Sequence, residues 1–76
     1  MTSITLYTTP GCIQCGLTRK VLDARAIAYD LIDLTTNPTA HAYVTATLGY
    51  RQAPVIVTEN TTWSGFRPDL LNALPN

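Results

Sequence analysis

The sequence of 76 residues has no excess of charge, no long apolar run and few cysteines or histidines. Five lysines and arginines balance five aspartates and glutamates and form no basic stripe, so we expect no nucleic acid partner. No apolar run approaches the roughly 18 residues that a spanning helix needs, which argues against a membrane partner. The N-terminus lacks the charged start and long apolar stretch of a signal peptide. We therefore expect one domain, residues 1–76, in the cytoplasm.

The two cysteines, Cys12 and Cys15, are separated by only two residues. They follow an alternating strand-like run and a Pro10-Gly11 turn, and they precede a helix-compatible run. Two thiols at this spacing on a helix N-terminus lie about one turn apart, within reach of a disulfide. The first lies nearest the free N–H groups and the positive dipole end, which favour a thiolate. Because thiolates are the nucleophiles of thiol–disulfide exchange, we predict redox chemistry at this pair.

Two other uses of the cysteines, a structural disulfide and a metal site, fit the sequence less well. A structural disulfide stabilises by closing a long loop, and two intervening residues close almost none. A zinc site normally takes four ligands, whereas His41 stands alone with no carboxylate or cysteine at ligand spacing. We therefore expect His41 on the surface and no metal site, with a metal-binding module as the weaker alternative.

Hydrophobic periodicity and turn residues predict the order strand, helix, strand, helix, strand, strand, helix. We predict helices over residues 12–25, from Asn37-Pro38 to Gly49, and from Pro68 onwards; the strands are predicted before residue 10 and over 28–34, 55–57 and 61–64. Strands joined through a helix pair in parallel, and a final hairpin adds an antiparallel pair. The predicted fold is therefore α/β, a four-stranded mixed sheet with three helices.

Two finer predictions concern side chains and one peptide bond. The inward stripe of the first helix is predicted to carry Leu17, Val21 and Ala24, with Cys15 and Leu22 at its flanks. A proline entering a central strand is tolerated at its first position or with an unusual backbone, and a cis Ala53–Pro54 bond would satisfy this requirement.

These residues together resemble a known family. The Tyr-x-x-Pro-x-Cys-x-x-Cys pattern of residues 7–15, the Ala-Pro-Val step at 53–55 and the element order resemble a glutaredoxin with a thioredoxin-like fold. The Cys-Ile-Gln-Cys motif at 12–15 is similar to the Cys-Val/Met-Gln-Cys motif of NrdH-redoxins. Residues 63–69, Trp-Ser-Gly-Phe-Arg-Pro-Asp, look like that family's signature segment. The resemblance covers about residues 4–74.

The resemblance implies a small dithiol reductant for the large subunit of class Ib ribonucleotide reductase. It implies that thioredoxin reductase, using NADPH, reduces the oxidised protein again, and that the protein binds no cofactor of its own. On this interpretation Cys12 attacks the partner disulfide and Cys15 resolves the mixed disulfide. We expect a monomer.

The resemblance also implies a partner-binding surface around the cysteines. Its expected members are Gly11, Ile13, Gln14, Ala53, Pro54, Trp63, Ser64, Gly65, Phe66 and Arg67. The Ala53 backbone is expected to hydrogen-bond an extended segment of the substrate. An aromatic pair such as Trp63 and Phe66 also fits local core packing, and Arg67 suits either loop carbonyls or a partner carboxylate.

Departures from the glutaredoxin pattern bear on the source of electrons. A glutathione-dependent glutaredoxin typically has a basic residue near the pair and a Gly-Gly/Asp segment before the last helix. Here Thr9 is uncharged, and only Asp69 remains as a contact for the glutathione amine. Glutathione dependence is therefore the alternative rather than the main prediction. No histidine lies between the cysteines to overstabilise the thiolate, which favours a reductant over an oxidant.

Overall fold

The computed structural model describes residues 3–75 and has the predicted order of elements. The elements are β1 Thr5–Thr8, α1 Ile13–Ala24, β2 Asp30–Asp33, α2 Pro38–Ala42 with a π-helical continuation Tyr43–Thr47, β3 Val55–Val57, β4 Thr62–Ser64 and α3 Pro68–Ala73. The sheet has the order β2-β1-β3-β4, with β1 parallel to β2 and antiparallel to β3. The mixed four-stranded sheet and the exposed position of β2 at its edge are confirmed, although β2 is shorter than predicted.

The sheet separates two apolar clusters because successive residues of a strand face opposite sides. Leu6 of β1 packs with Leu22 of α1 and Leu71 of α3 in one cluster. Tyr7, the next residue of β1, packs with Val44 in the other cluster, on the side of α2. The cysteine-bearing helix α1 therefore lies on the same side of the sheet as α3.

The buried face of α1 is rotated away from the predicted stripe toward Cys15 and Leu22, the residues predicted to flank it. The buried residues of α1 are Cys15, Thr18 and Leu22, whereas Leu17 is 40% exposed. Thr18 is fully buried, and its hydroxyl donates to the carbonyl of Gln14 at 2.9 Å, which satisfies its polar group. The rotation places the sulfur of Cys15, and not the side chain of Leu17, against the protein interior.

The second helix begins as predicted and then widens. The side chain of Asn37 accepts the N–H of Ala40 at 3.0 Å, and Pro38 occupies the first turn. The N–H of Leu48 then donates to the carbonyl of Tyr43, five residues earlier, at 3.0 Å. This π-helical turn was not predicted, because one wide turn does not visibly change the spacing of apolar residues in the sequence.

An arginine of α1 holds the C-terminal end of α3. Arg25 donates through Nη1 to the carbonyl of Leu71 at 2.5 Å and through Nη2 to the carbonyl of Leu74 at 2.7 Å. The last carbonyls of a helix have no intrahelical partners, so a cation at this position satisfies them and complements the helix dipole. Arg25 therefore fixes α3 against the end of α1 that lies away from the cysteines.

Candidate active site

The cysteine pair lies where the chain turns from β1 into α1. Gly11 makes this turn with φ +74°, a left-handed conformation that favours glycine. Cys12 is the N-cap of α1, and its Sγ accepts the N–H of Cys15 at 3.1 Å. Cys12 and Cys15 form a disulfide with Cα atoms 5.2 Å apart, within the ordinary range for such a bond. The structure therefore represents the oxidised state of a pair that sits on a helix N-terminus, as predicted.

The two cysteines differ in their access to solvent. Cys12 is half-buried, and its neighbour Ile13 is 81% exposed. Cys15 is only 4% exposed because it faces the interior. A disulfide that approaches from solvent therefore reaches Cys12 first, whereas Cys15 lies on the interior side of the Cys12 sulfur. This asymmetry suits a nucleophile in the first position and a resolving thiol in the second.

The proline loop before β3 lies beside the cysteine turn because of the strand register. Tyr7 of β1 pairs with Val55 of β3 in an antiparallel ladder, so residues 8–9 lie opposite residues 53–54. The Ala53–Pro54 peptide bond is cis, which confirms the prediction. Ala53 is half-buried and lines the same groove as Thr9, next to the cysteine turn.

The segment between β4 and α3 approaches the cysteines from the other side. In this β4–α3 loop (residues 65–67), Gly65 has φ +89° and donates its N–H to the carbonyl of Pro54 at 2.8 Å. The next amide, that of Phe66, donates to Oε1 of Gln14 at 3.3 Å. The loop is thus hydrogen-bonded both to the proline loop and to the residue between the cysteines.

The remaining members of the predicted surface have different positions. Trp63 is 5% exposed and packs in the core with Leu71, so it contributes to the surface only by supporting it, in agreement with the core-packing interpretation. The hydroxyl of Ser64 donates to the carbonyl of Gln52 at 2.9 Å and holds the proline loop against β4. Phe66 is half-buried and packs against the same core cluster as Trp63.

Arg67 forms an ion pair with Asp69 instead of holding loop carbonyls. Its Nε lies 3.2 Å from Oδ1 of Asp69, and its Nη2 lies 2.9 Å from Oδ2. Both side chains remain more than half exposed. This partner raises the pKa of Arg67 and lowers the pKa of Asp69, in each case chiefly through the side-chain hydrogen bond. The carbonyls of α3 are held by Arg25, a residue to which the sequence analysis gave no role.

Two grooves flank the cysteine turn, and each is lined by an arginine to which the sequence analysis gave no role. One groove runs along residues 8–13 and is lined also by Arg19 and Asp33. The other passes Thr9 and Ala53 and is lined also by His41 and Arg51. His41 is exposed, as predicted. Arg51 stands two positions before Ala53 in the sequence, a proximity that would have identified it.

The carboxylate of Asp33 in the first groove has a local cause for a shifted pKa. The hydroxyl of Thr35 donates to Oδ1 of Asp33 at 2.6 Å, and the N–H of Thr35 donates to the same oxygen at 2.8 Å. These two bonds lower the pKa of Asp33, with the hydroxyl contributing more. Asp33 is therefore ionised across the neutral pH range beside the groove.

Within residues 3–75, no group of three or more His, Cys, Asp or Glu side chains is arranged to hold a metal ion. In the same part of the chain, no helix has the length and apolar character needed to cross a membrane.

Comparison with known proteins gives concordant results. A glutaredoxin family model matches residues 4–63. The chain is 38% identical over 72 residues to the glutaredoxin-like protein NrdH of Salmonella typhimurium, covering 95% of this chain and 88% of that one. It is 40% identical over 74 residues to the gene 56 protein of Mycobacterium phage D29, with 96% and 82% covered. The fold matches the NrdH-redoxin of Escherichia coli, whose structure was described for its thioredoxin-like activity profile, with a TM-score of 0.92 and 36% identity, covering 97% of this chain and 96% of that one.

Proposed function

This chain belongs to the glutaredoxin family, in its NrdH branch, and from that premise we propose that it reduces the disulfide of class Ib ribonucleotide reductase and is re-reduced by thioredoxin reductase. The NrdH-redoxin of Escherichia coli has a thioredoxin-like activity profile, and the present chain matches that protein over nearly its whole length. Electrons then pass from NADPH through the reductase to the Cys12–Cys15 disulfide, with no cofactor bound by this protein.

The reaction proceeds in two exchanges of sulfur partners. The thiolate of Cys12 attacks one sulfur of the partner disulfide; that disulfide breaks, a mixed disulfide with Cys12 forms, and the released partner sulfur takes up a proton. Cys15 then loses its proton and attacks Sγ of Cys12, which releases the second partner sulfur as a thiol. The net result is the transfer of two electrons and two protons to the partner, and the product is the Cys12–Cys15 disulfide that the structure contains.

The helix N-terminus supports the first exchange. Sγ of Cys12 already accepts the N–H of Cys15 at 3.1 Å, a bond that becomes stronger when the acceptor sulfur carries a negative charge. The backbone of Ala53, beside Thr9 and the cysteine turn, suits an extended partner segment that would pair with it as an additional strand.

The observation that carries the choice of thioredoxin reductase over glutathione is the ion pair between Arg67 and Asp69. Asp69 was the only candidate for a contact with the glutathione amine, and both of its carboxylate oxygens are engaged by Arg67. Thr9 provides no cation beside the cysteines. The amine of a tripeptide would therefore have to share the Asp69 carboxylate with the guanidinium of Arg67, a like charge that disfavours its approach.

One observation favours the second candidate, a glutathione-dependent glutaredoxin. Arg51 lines the groove beside Ala53 and offers a cation to a small anionic thiol. An exposed arginine in each groove, Arg51 in this one and Arg19 in the other, gives weak recognition compared with a site that holds both ends of the ligand. Glutathione thus remains the alternative reductant, to be decided by assay.

We also propose that the protein acts in the cytoplasm as a monomer. A dithiol that must return to its reduced form after each turnover requires a reducing compartment with a supply of NADPH. Size-exclusion chromatography with light scattering measures the molar mass of the oxidised and reduced protein, and we expect the mass of one chain in both states.

The deciding experiment compares two electron sources for one acceptor. Insulin reduction is followed with NADPH and thioredoxin reductase, and separately with NADPH, glutathione and glutathione reductase. We expect turnover that saturates with this protein in the first system and only background turnover in the second. Equal or greater turnover with glutathione would contradict the proposal in favour of a glutathione-dependent glutaredoxin.

A further inference from the structure

Gln14 connects the cysteine motif to a loop that is distant in sequence. Its Oε1 accepts the N–H of Phe66, 52 residues away, at 3.3 Å. The preceding amide, that of Gly65, is bound to the carbonyl of Pro54 at 2.8 Å. Two consecutive amides of the β4–α3 loop are therefore fixed to the two other parts of the active site. The Gln14 bond is the one that joins the loop to the cysteine motif itself.

Gly65 is the residue at which the loop passes beside the side chain of Gln14. A Cβ at position 65 would lie 3.7 Å from Oε1 of Gln14, and Gly65 has φ +89°, so the loop approaches the glutamine through a residue without a side chain. With Oε1 directed at Phe66, the Nε2 end of the same amide points away from that N–H.

The bond contributes little to the stability of the fold. Gln14 is exposed, and an exposed polar group that loses its partner can form a hydrogen bond with water instead. Its effect is therefore on position: it determines where the backbone of Phe66, and the Arg67 that follows, lie relative to Cys12 and the exposed side chain of Ile13.

We propose that Gln14 is a positioning residue that sets the partner-binding surface by holding the β4–α3 loop beside the cysteines. This proposal rests on the proposed function, because it requires a protein partner that contacts both the cysteine turn and this loop. A partner of that kind binds the loop equally before and during sulfur exchange, so loss of the bond raises KM and leaves kcat unchanged. A small disulfide needs only Cys12 and is unaffected.

The test compares two variants of Gln14, one that should lose the hydrogen bond to Phe66 and one that should keep it. Gln14→Met keeps the length of the side chain and removes the acceptor, whereas Gln14→Glu keeps an acceptor oxygen. Asn72→Leu makes a similar amide-to-apolar change on the exposed face of α3 and serves as the control for added surface apolarity. Amide hydrogen exchange is measured by NMR on the oxidised proteins, and KM and kcat are measured with thioredoxin reductase and NADPH.

In Gln14→Met, we expect hydrogen exchange of the Phe66 amide to become about three- to tenfold faster, because the variant loses one modest hydrogen bond. The Gly65 amide should stay as protected as in the wild type. We expect KM for the reductase to rise by a similar factor, with kcat and the rate of reaction with 5,5′-dithiobis(2-nitrobenzoate) unchanged. Gln14→Glu and Asn72→Leu should behave as the wild type in the exchange measurement.

Three results would overturn the proposal. The first is an unchanged Phe66 amide in Gln14→Met, and the second is an unchanged KM despite faster exchange. The third is a loss of reactivity toward the small disulfide, which would move the role of Gln14 to the chemistry. If the wild type itself were not reduced by the reductase, the proposed function would fail first, and the inference would fail with it.

Discussion

The two ends of α1 are both joined to the segment that runs from β4 through α3, but by different kinds of contact. At the N-terminal end, Gln14 accepts one hydrogen bond from the Phe66 amide at 3.3 Å in an exposed position. At the C-terminal end, the partly buried Arg25 donates to the carbonyls of Leu71 and Leu74 at 2.5 and 2.7 Å. The first contact is single and neutral, whereas the second is double and involves a charge.

This difference separates recognition from stability within one helix. Charge-assisted bonds to buried or partly buried carbonyls contribute more than neutral exposed bonds, so the Arg25 end holds α1 and α3 together. The Gln14 end orients a loop that is open to solvent and to partners. A substitution at Arg25 should therefore lower the free energy of unfolding, whereas a substitution at Gln14 should weaken the affinity for a partner.

The largest expected effect is a loss of turnover from a substitution at the N-terminal end of α1, which carries the cysteines. Cys12→Ser removes the thiolate that begins the exchange and should abolish disulfide reduction in the assay with NADPH and thioredoxin reductase. Circular dichroism and thermal unfolding, compared with Cys15→Ser, provide the control for folding, because each variant lacks the disulfide. Full turnover by Cys12→Ser would show that the nucleophile has been assigned to the wrong residue.

The next largest effect is expected on the free energy of unfolding, from a substitution at the C-terminal end of α1. Arg25→Met keeps the apolar stem but loses both hydrogen bonds to α3, and we expect the free energy of unfolding to fall by about 2 kcal/mol. Arg25→Lys, which still carries a donor but cannot reach two carbonyls with the same geometry, should lose less. Urea denaturation measures both variants. A large change in the KM for thioredoxin reductase without a change in stability would contradict the structural role.

Local features of the sequence predicted the fold well, and the contacts between distant segments account for what they missed. The Cys12-x-x-Cys15 spacing, the Asn37-Pro38 helix start and the Ala53–Pro54 step each carry their signal within a few residues, and the structure has all three. The contacts of Arg25 with α3 and of Gln14 with Phe66 span 46 to 52 residues. Periodicity contains no information about such pairs.

The centre of the inward face of α1 was misplaced for a different reason. A search for apolar residues selects Leu17 and passes over Thr18, yet Thr18 is buried and its hydroxyl is satisfied by the helix backbone. Of the predicted surface, Ile13 and Gln14 are exposed at the cysteines, whereas Trp63 supports the surface from the core. The sequence thus identified the segments, but it could not assign inside and outside to every side chain.

A smaller effect is expected at the edge of the β4–α3 loop. The Arg67–Asp69 pair is more than half exposed, so Arg67→Ala should change the unfolding midpoint far less than Arg25→Met does. We expect its main effect to be a higher KM for thioredoxin reductase. Asp69→Asn, which removes the same ion pair but keeps the guanidinium, is the matched comparison. A clear loss of thermal stability in Arg67→Ala with an unchanged KM would assign Arg67 a structural role instead.

The smallest effect concerns the pH dependence of stability through Asp33. Its pKa lies below its ordinary value of 3.8 in the folded protein because Thr35 donates two hydrogen bonds to it. A carboxylate with a depressed folded pKa stabilises the fold above its ordinary pKa and loses that contribution as the pH falls through the folded value. Thr35→Val should therefore lower the unfolding midpoint slightly at about pH 6, and the difference from the wild type should shrink as the pH falls below the ordinary value.

Thr36→Val is the control for this measurement. The Thr36 hydroxyl bonds to the backbone carbonyl of Asp33 at 3.4 Å and not to its carboxylate. Any difference between Thr36→Val and the wild type should be independent of pH over the same range. A pH-independent difference for Thr35→Val as well would contradict the assignment of the shifted pKa to the Thr35 contacts.

We propose that Cys12, half-buried at the start of α1, attacks the disulfide of class Ib ribonucleotide reductase and that the buried Cys15 then resolves the mixed disulfide. Reduced Cys15→Ser, mixed with the oxidised large subunit of that enzyme, tests it directly by mass spectrometry of the trapped complex. We predict a one-to-one covalent adduct in which peptide mapping joins Cys12 to a cysteine of the large subunit, and which dithiothreitol releases. No adduct with Cys15→Ser, although the wild type reduces the same subunit, would contradict the claim.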